Sequence, residues 1–276
     1  MPELPEVETV VRSLSEPLRG RTLSKVKVLH SPSVEGSPKS PNSVSGHKIE
    51  RMFRRGKFIR IDLNGGLGMA VHLRMTGWLG IRPAYVKDPK FDPYLRLRFF
   101  LDDGSECLDF QDIRTFGRVW CGKSAEIDAL HALSKLGPEP LEIDADAFAQ
   151  RLRSRGGRLK ALLLNQEFLA GVGNIYADEA LFAARLHPLA SASRVKPESA
   201  RRLHGAIQRI LSAAIDAGGS SVENFRRPDG EKGWFQRELL IYGREGEACS
   251  SCGTAVKRIV MGQRGTWFCP ACQKKS

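Results

Sequence analysis

The sequence contains no long apolar run and no N-terminal segment of the secretory kind. None of its hydrophobic stretches approaches the ~18 consecutive apolar residues that a membrane-spanning helix needs. The chain begins Met-Pro-Glu-Leu-Pro-Glu, which is acidic and interrupted by proline, whereas a signal peptide begins with basic residues followed by an apolar stretch. We therefore expect no membrane contact and a cytoplasmic location.

Acidic residues are in deficit. The chain has 43 Lys and Arg against 31 Asp and Glu, a net charge of +12. Residues 1–135 hold 22 basic against 16 acidic residues and residues 136–276 hold 21 against 15, so each half carries +6. A polyanion bound by both halves would favour this distribution, because each neutralised phosphate releases counterions. The alternative is a generally basic protein that touches no nucleic acid.

Cysteine is scarce outside one short region. Four of the six cysteines form two pairs, Cys249 with Cys252 and Cys269 with Cys272, separated by residues 253–268. Two such pairs at this separation match a zinc ribbon, in which each pair supplies two corners of a tetrahedron. Disulfides and a redox pair are the alternatives. With four thiolate ligands no position stays open, so we expect one structural Zn²⁺ that contributes to folding.

The first half of the chain shows two hydrophobic periodicities. Residues 5–18 have apolar side chains at helical spacing, and from about residue 22 to 121 apolar and polar residues alternate. Val26 and Val28 alternate with lysines, and Ile59 and Ile61 with Arg60 and Asp62. This pattern predicts an N-terminal helix followed by a half-buried antiparallel β-sandwich or barrel. Residues 31–46, rich in Ser, Pro and Gly, are expected to form an exposed loop.

The second half has helical patterns near 125–135, 144–154, 158–168, 174–185 and 197–217, then strand-like runs at 256–261 and 266–268. The expected division is a β-sandwich catalytic domain at 1–121, a linker region at 122–142, a helical DNA-binding domain at 143–240 and a zinc finger at 241–276. Residues 218–236 are glycine-rich and too long for a simple turn, so a functional loop is expected there.

A glycine turn at 171–173 precedes a predicted helix that starts at Asn174. Backbone N–H groups and the helix dipole at such a start can bind phosphate, although two helices joined by a glycine turn are often only a hairpin. Lys160 lies nearby in sequence and is predicted to contact DNA.

Pro2 is a candidate nucleophile if Met1 is removed. Its secondary α-amine would be partly unprotonated near neutral pH and could form a Schiff base with a sugar C1′, with Glu3 and Glu6 as acid or base. Taken alone, the segment is more typical of an acidic helix start than of a catalytic group.

Together these segments resemble the formamidopyrimidine-DNA glycosylase family. The matching motifs are MPELPEVETV at 1–10, GKF at 56–58, HLRMTG at 72–77, GVGNIYADEALF at 171–182 and the cysteine pairs. The resemblance implies an α+β multidomain fold with a helix-two-turn-helix (H2TH) domain, and a monomer that binds damaged double-stranded DNA, associated with a bacterial nucleoid. It also implies base excision repair of oxidised purines (8-oxoguanine and formamidopyrimidines), followed by strand nicking through β,δ-elimination.

The resemblance also implies roles for individual residues. Pro2 would be the nucleophile, Glu3 would protonate the opening sugar, Lys57 would assist catalysis or contact phosphate, and Glu6 would line the lesion pocket. His72, Asn174 and the catalytic-site residue Arg264 would bind the phosphates around the extruded nucleotide. The gap left in the duplex would be filled by Met75, Arg114 and Phe116, with Arg114 facing the orphaned cytosine.

The chain departs from the family pattern at two places. Ile113 and Thr115 flank Arg114 where the family usually has proline and a second arginine, and Arg226-Arg227-Pro228 is unusual in the predicted loop. Two other hypotheses therefore stay open: an endonuclease VIII-like glycosylase for oxidised pyrimidines, and a non-catalytic lesion-binding protein. Leu4 favours the purine-specific branch over endonuclease VIII.

Overall fold

The computed structural model describes residues 1–34, 41–86, 92–222 and 224–275. The chain divides into two compact units, residues 1–134 with 218–234 and residues 135–217 with 235–276. The predicted domain boundaries at 121, 142 and 240 stay a prediction. Within the described residues, no helix combines the length and apolar character that crossing a bilayer requires.

The first unit begins with helix α1, Leu4–Leu18, which buries one apolar face. Eight antiparallel strands follow: β1 Thr22–Val28, β2 His47–Arg55, β3 Phe58–Leu63, β4 Leu67–His72, β5 Gly77–Pro83, β6 Leu95–Leu101, β7 Glu106–Asp112 and β8 Arg118–Lys123. Their order is β5-β7-β6-β1-β2-β3-β4-β8, and β1 pairs with β2 only at Thr22 and Leu23. This short junction separates two four-stranded halves whose inner side chains share one core with α1. The predicted β-sandwich with an N-terminal helix is confirmed.

The alternation predicted for two strands is only partly correct. A bulge between Leu23 and Lys25 shifts the register of β1, so the buried residues Leu23 and Val26 are three positions apart. Val28, the last residue of β1, is exposed. Arg60 of β3 is buried although the pattern places it on a polar face. The short helix α2, Ser124–Asp128, packs on the neighbouring strands β4 and β8, and the Arg60 guanidinium donates to the Met69 carbonyl at 2.7 Å and pairs with Asp128 at 3.0 Å.

The predicted loop at 31–46 is not wholly exposed. Short 3₁₀ turns occupy Ser31–Ser33 and Pro41–Val44, and Val44 lies in the sandwich core. Residues 35–40 of the predicted loop lie outside the described part of the chain. A four-residue helix, α3 (His131–Ser134), closes the unit's continuous stretch.

The second unit is helical and ends in a two-stranded hairpin. Its elements are α4 Ala145–Arg153, α5 Leu159–Leu164, α6 Asn174–Ala183, α7 Pro197–Asp216, β9 Lys257–Met261 and β10 Arg264–Phe268. Helix α7 packs against α4 and α6, and β10 packs against α6. The H2TH and zinc-ribbon architecture predicted for this half is confirmed.

Candidate active site and metal centre

Two buried carboxylates lie at the N-terminus of α1, directly after Pro2. Glu3 caps the helix and Glu6 occupies its first turn, in a capping-box arrangement in which the Glu3 N–H donates to Glu6 Oε2 at 2.7 Å. Both side chains are at most 3% exposed. The helix N-terminus stabilises negative charge, because its first N–H groups point toward the carboxylates. The fold thus fixes two acid or base groups next to the predicted nucleophile.

Glu6 also holds a distant segment of the same unit. Its Oε1 accepts the Ser220 N–H at 2.7 Å, and Gly219 packs against the Glu6 side chain. A Cβ at Gly219, whose φ is +81°, would lie 3.1 Å from Glu6 Cγ, so glycine is required on both conformational and steric grounds. Glu6, which is predicted to line the lesion pocket, therefore contacts residues 218–234, which we call the 218–234 segment.

Lys57 and His72 lie near each other at one end of the β3–β4 pair. Lys57 sits in the turn before β3 and is 4% exposed, and Phe58 pairs in register with His72. His72 Nδ1 accepts the Arg74 N–H at 3.0 Å, which places the ring proton on Nε2. Burial, followed by the charges of Arg74 and Lys57, lowers the pKa of His72 to about 3. His72 is consequently a neutral hydrogen-bond donor.

The three residues predicted to fill the duplex gap lie on two loops that are joined by hydrogen bonds. Met75 is in the β4–β5 turn, whereas Arg114 and Phe116 are in the β7–β8 loop. The Thr76 hydroxyl donates to the Asp112 carboxylate and accepts the Arg114 N–H at 3.0 Å. The other Asp112 oxygen accepts the Gly117 N–H at 2.6 Å, so one buried aspartate organises both loops.

Phe116 is 48% exposed, and the Arg114 guanidinium lies 4.9 Å from the centre of its ring. Neighbouring Ile113 is 54% exposed, and Met75 is half-buried. Pattern alone favours core positions for Met75 and Phe116, since large apolar side chains are mostly buried. The structure corrects this for Phe116, which adds exposed apolar surface beside an arginine.

Lys160 requires a correction, because it does not reach a surface. Its side chain is fully buried, and its ammonium group donates to Asp178 at 2.8 Å, to the Gly265 carbonyl at 3.0 Å and to Thr266 Oγ1 at 2.9 Å. The predicted direct contact with DNA is wrong for this residue. Lys160 instead fastens the β9–β10 hairpin to α6.

Asn174 and Arg264 are brought together by the same hairpin. Asn174 is the first residue of α6, and its Nδ2 donates to the Gly265 carbonyl at 3.1 Å, next to exposed Arg264 at the start of β10. Within the described residues, the buried Asn174 Oδ1 has no hydrogen-bond partner. The hairpin turn uses Gly262 and Gln263 at φ values of +54° and +61°, as a tight two-residue turn requires.

The four paired cysteines form a metal centre. All four sulfurs lie within 4.8 Å of one another, with Cys249 and Cys272 at 3.9 Å and Cys252 and Cys269 at 3.5 Å. A tetrahedron with Zn–S bonds of ~2.3 Å has sulfurs about 3.8 Å apart, so the arrangement fits one zinc ion. Gly253, at φ +76°, donates its N–H to the Cys249 carbonyl at 2.8 Å and turns the first pair toward the second. The predicted structural Zn²⁺ site is confirmed.

The two remaining cysteines are buried in the sandwich. Burial raises the pKa of the Cys107 thiol to about 11 and that of the Cys121 thiol to about 12. A thiol is a nucleophile only as the thiolate, so neither competes with Pro2 for that role.

Family models match three stretches of the chain. They are the formamidopyrimidine-DNA glycosylase N-terminal domain at residues 1–119, the formamidopyrimidine-DNA glycosylase H2TH domain at 136–226 and the zinc finger found in FPG and IleRS at 246–275. The formamidopyrimidine-DNA glycosylase of Chloroflexus aurantiacus is 42% identical over 99% of this chain and 98% of its own. That of Bacillus subtilis is 39% identical over the whole of both chains.

Solved structures show the same fold. The MutM (FPG) protein of Thermus thermophilus is 40% identical, covers both chains completely and has a TM-score of 0.87. A complex of the Lactococcus lactis Fpg with DNA containing an abasic site is 32% identical, covers 99% of this chain and 100% of the other, and has a TM-score of 0.89. The chain therefore belongs to the formamidopyrimidine-DNA glycosylase family and is a DNA-repair glycosylase with a zinc finger.

Proposed function

We propose that the protein excises oxidised purines, 8-oxoguanine and formamidopyrimidines, from double-stranded DNA and then cleaves the strand at the resulting abasic site. The observation that carries the proposal is the pair of buried carboxylates fixed beside Pro2. The relatives are named formamidopyrimidine-DNA glycosylases, and Lactococcus lactis neighbours include complexes with DNA containing Fapy-dG and an abasic site.

In the proposed reaction, the Pro2 nitrogen attacks C1′ of the damaged nucleotide once Met1 has been removed. A secondary amine with a pKa near the ordinary α-amino value of about 8 is a usable nucleophile without further activation. The N-glycosidic bond breaks, and its electron pair and a proton go to the base. Glu3 gives a proton to the sugar ring oxygen as the ring opens, and loss of the ring C–O bond yields a Schiff base between Pro2 and C1′.

Strand cleavage follows from the Schiff base. The iminium makes the C2′ proton acidic, so its removal expels the 3′-phosphate by β-elimination, and a second elimination expels the 5′-phosphate. Lys57 assists these steps or contacts a phosphate from the turn before β3. Hydrolysis of the remaining imine returns the free Pro2 amine.

The proposed DNA contacts suit the chemistry of the residues. Neutral His72 donates Nε2–H to a phosphate, and Asn174 and Arg264 bind phosphates beside the zinc hairpin. Met75 and Phe116 fill the gap left by the extruded base, which partly offsets an unstacking cost of a few kcal/mol. Arg114 reads the edge of the orphaned cytosine. Glu6 contributes to the lesion pocket through the 218–234 segment.

The test is borohydride trapping on duplexes with 8-oxoguanine, a formamidopyrimidine, thymine glycol or an abasic site. Protein with a verified free Pro2 should form a covalent adduct, preferentially with the oxidised purines. The matched control is the same chain with Met1 retained, which preserves the rest of the fold and blocks the amine. An adduct on the blocked chain, or none on the free chain, would contradict the proposed nucleophile. A preference for thymine glycol would instead support the endonuclease VIII-like alternative.

We further infer that one copy of the chain acts alone on nucleoid DNA in the bacterial cytoplasm. All proposed catalytic and metal-binding residues come from a single chain. Analytical ultracentrifugation with and without a short lesion duplex should give a 1:1 complex, and a second protein copy per duplex would contradict the inference.

A further inference from the structure

Trp78 connects strand β5 to the 218–234 segment. Its indole Nε1–H donates to the Arg227 carbonyl at 2.9 Å, joining residues 149 positions apart in the sequence. The same carbonyl accepts the Gly230 N–H at 2.9 Å. The turn of the segment therefore uses one acceptor position of this oxygen, and Trp78 uses the other.

Gly80 makes room for this contact. A Cβ at Gly80 would overlap the Cη2 and Cζ2 atoms of the Trp78 ring and would lie 3.0 Å from the Pro228 carbonyl oxygen. Both approaches are closer than ordinary van der Waals contact, so a side chain at position 80 displaces the indole or the segment. The absence of a side chain at Gly80 thus allows the Trp78 ring to lie along β5 and against the 218–234 segment.

Further contacts hold other parts of the segment. Ser220 is held by Glu6, Phe225 is buried in the sandwich core, and Gly233 donates its N–H to Ser221 Oγ at 3.0 Å. Ser220 is thereby bonded to α1, Phe225 is anchored in the core, and Gly233 joins the end of the segment to its start.

The Arg227–Gly230 turn is held mainly by contacts inside the segment. The Arg227 guanidinium pairs with Asp229 at 2.7 Å, and the Glu231 N–H donates to the same carboxylate at 3.0 Å. The Arg227 N–H donates to the Glu231 carbonyl at 2.9 Å. None of these bonds reaches the sheet, whereas the bond from Trp78 does. The indole therefore ties this turn to the sheet.

A cavity of about 700 Å³ lies between this turn and the sheet. Thr76, Gln111 and Phe225 line it, together with Trp78 itself. Gln111 is 5% exposed, and its Nε2 has no hydrogen-bond partner in the described structure. An amide donor in such a place can be satisfied by a carbonyl oxygen of a ligand. The volume is within the range of pockets that hold small molecules.

We propose that Trp78 is a positioning residue for base excision, and that it holds the 218–234 segment over the cavity before DNA binds. The inference rests on the proposed glycosylase function. A segment already folded over its pocket loses less conformational freedom when a base enters, so the base is captured more readily. Cleavage at a preformed abasic site has no base to capture and does not need the indole.

The test compares the two reactions in single turnover, using Trp78→Phe. Phenylalanine retains an aromatic ring at position 78, lacks the N–H donor and is smaller than the indole. Losing one neutral hydrogen bond should slow base excision about five- to tenfold. Cleavage of a preformed abasic duplex should change less than about twofold, because Pro2 and Glu3 are untouched.

Gly80→Ala provides a second, independent perturbation. It keeps the indole N–H in the chain but forces the ring away from Arg227, so it should reproduce the selective loss of excision. Gly156→Ala is the matched control, because a Cβ there meets nothing within 4 Å. That variant should excise and cleave at wild-type rates.

Two results would overturn the proposal: unchanged excision in both Trp78→Phe and Gly80→Ala, or an equal loss of excision and abasic-site cleavage. The second pattern identifies a general packing role. Failure of the glycosylase function itself is distinguishable, since wild-type protein with free Pro2 would then release no base from any lesion duplex.

Discussion

The buried ion pair between Lys160 and Asp178 makes a quantitative prediction about the zinc hairpin. Lys160→Met keeps the length of the side chain and removes its three donors. The Asp178 carboxylate, itself fully buried, would retain the Trp267 N–H at 3.1 Å but lose its cation. The Gly265 carbonyl would keep only Asn174.

The expected cost is large because removal of one partner leaves an uncompensated charge inside the protein. Breaking a buried pair in this way costs about 3–5 kcal/mol. Burial already raises the pKa of Asp178, so without Lys160 the carboxyl group must stay charged without a partner or bind a proton. The raised pKa makes the penalty largest at alkaline pH and smaller as the pH falls and the carboxyl becomes protonated.

Hydrogen exchange of the β9 and β10 amides measures this cost locally. A loss of about 3 kcal/mol corresponds to amide exchange faster by about 100-fold, since each 1.4 kcal/mol is a factor of ten. The difference from wild type should be greater at pH 8 than at pH 6. Arg201→Met is the control: its pair with Asp146 is 2.7 Å long but more than half exposed on both sides, and should be worth at most about 1 kcal/mol. Equal exchange of the hairpin amides in the two variants would refute the reasoning.

Three further predictions concern His72, Phe116 and the zinc site. In the unfolded chain histidine binds a proton below pH 6.5, whereas the pKa of His72 in the folded protein is about 3. The free energy of unfolding therefore decreases as the pH is lowered from 6.5 toward 3. From pH 8 to pH 5 urea titration should show wild type losing about 2 kcal/mol relative to His72→Gln, and parallel pH curves would contradict this. Phe116→Ala should change the melting temperature little, because the ring is exposed, yet weaken fluorescence-measured affinity for a lesion duplex about tenfold; an equal loss for undamaged duplex would argue against a wedge. Cys252→Ser should release zinc to a colorimetric chelator and expose the β9–β10 amides to exchange while α1 stays protected, and retained hairpin protection would contradict a structural metal.

Several features of the structure could be predicted from the sequence because their signal is local. Helix α1 follows from apolar spacing and a proline in the first turn, and the zinc site from two short cysteine pairs whose internal geometry needs only a tight turn. The start of α6 at Asn174 follows from the preceding glycines. In each case the residues that interact are within a few positions of one another, so the spacing contains the geometry.

Other features could not be predicted, because the environment of the residue comes from distant parts of the chain. Lys160 was predicted to contact DNA because it lies close in sequence to the glycine turn before Asn174, but the three partners that bury it lie 18, 105 and 106 positions away. Arg60 is buried because α2 covers its face of the sheet, which alternation along β3 cannot indicate. The role of Trp78 has no signal in the sequence, since its partner is a backbone carbonyl, which any residue type provides.

Glu6 shows how local and distant constraints meet in one side chain. Its Oε2 completes the helix cap by accepting the Glu3 N–H, and its Oε1 accepts the Ser220 N–H. Both partners are donors, so the position needs two acceptor oxygens, and glutamine would turn an N–H₂ group toward one of them. The requirement for glutamate thus arises from backbone geometry before any contact with a base is considered. Because α1 begins beside Pro2, a substitution of Glu6 that frees the Ser220 N–H also removes the acceptor of the Glu3 N–H, so the helix cap at Glu3 and the start of the 218–234 segment depend on one carboxylate.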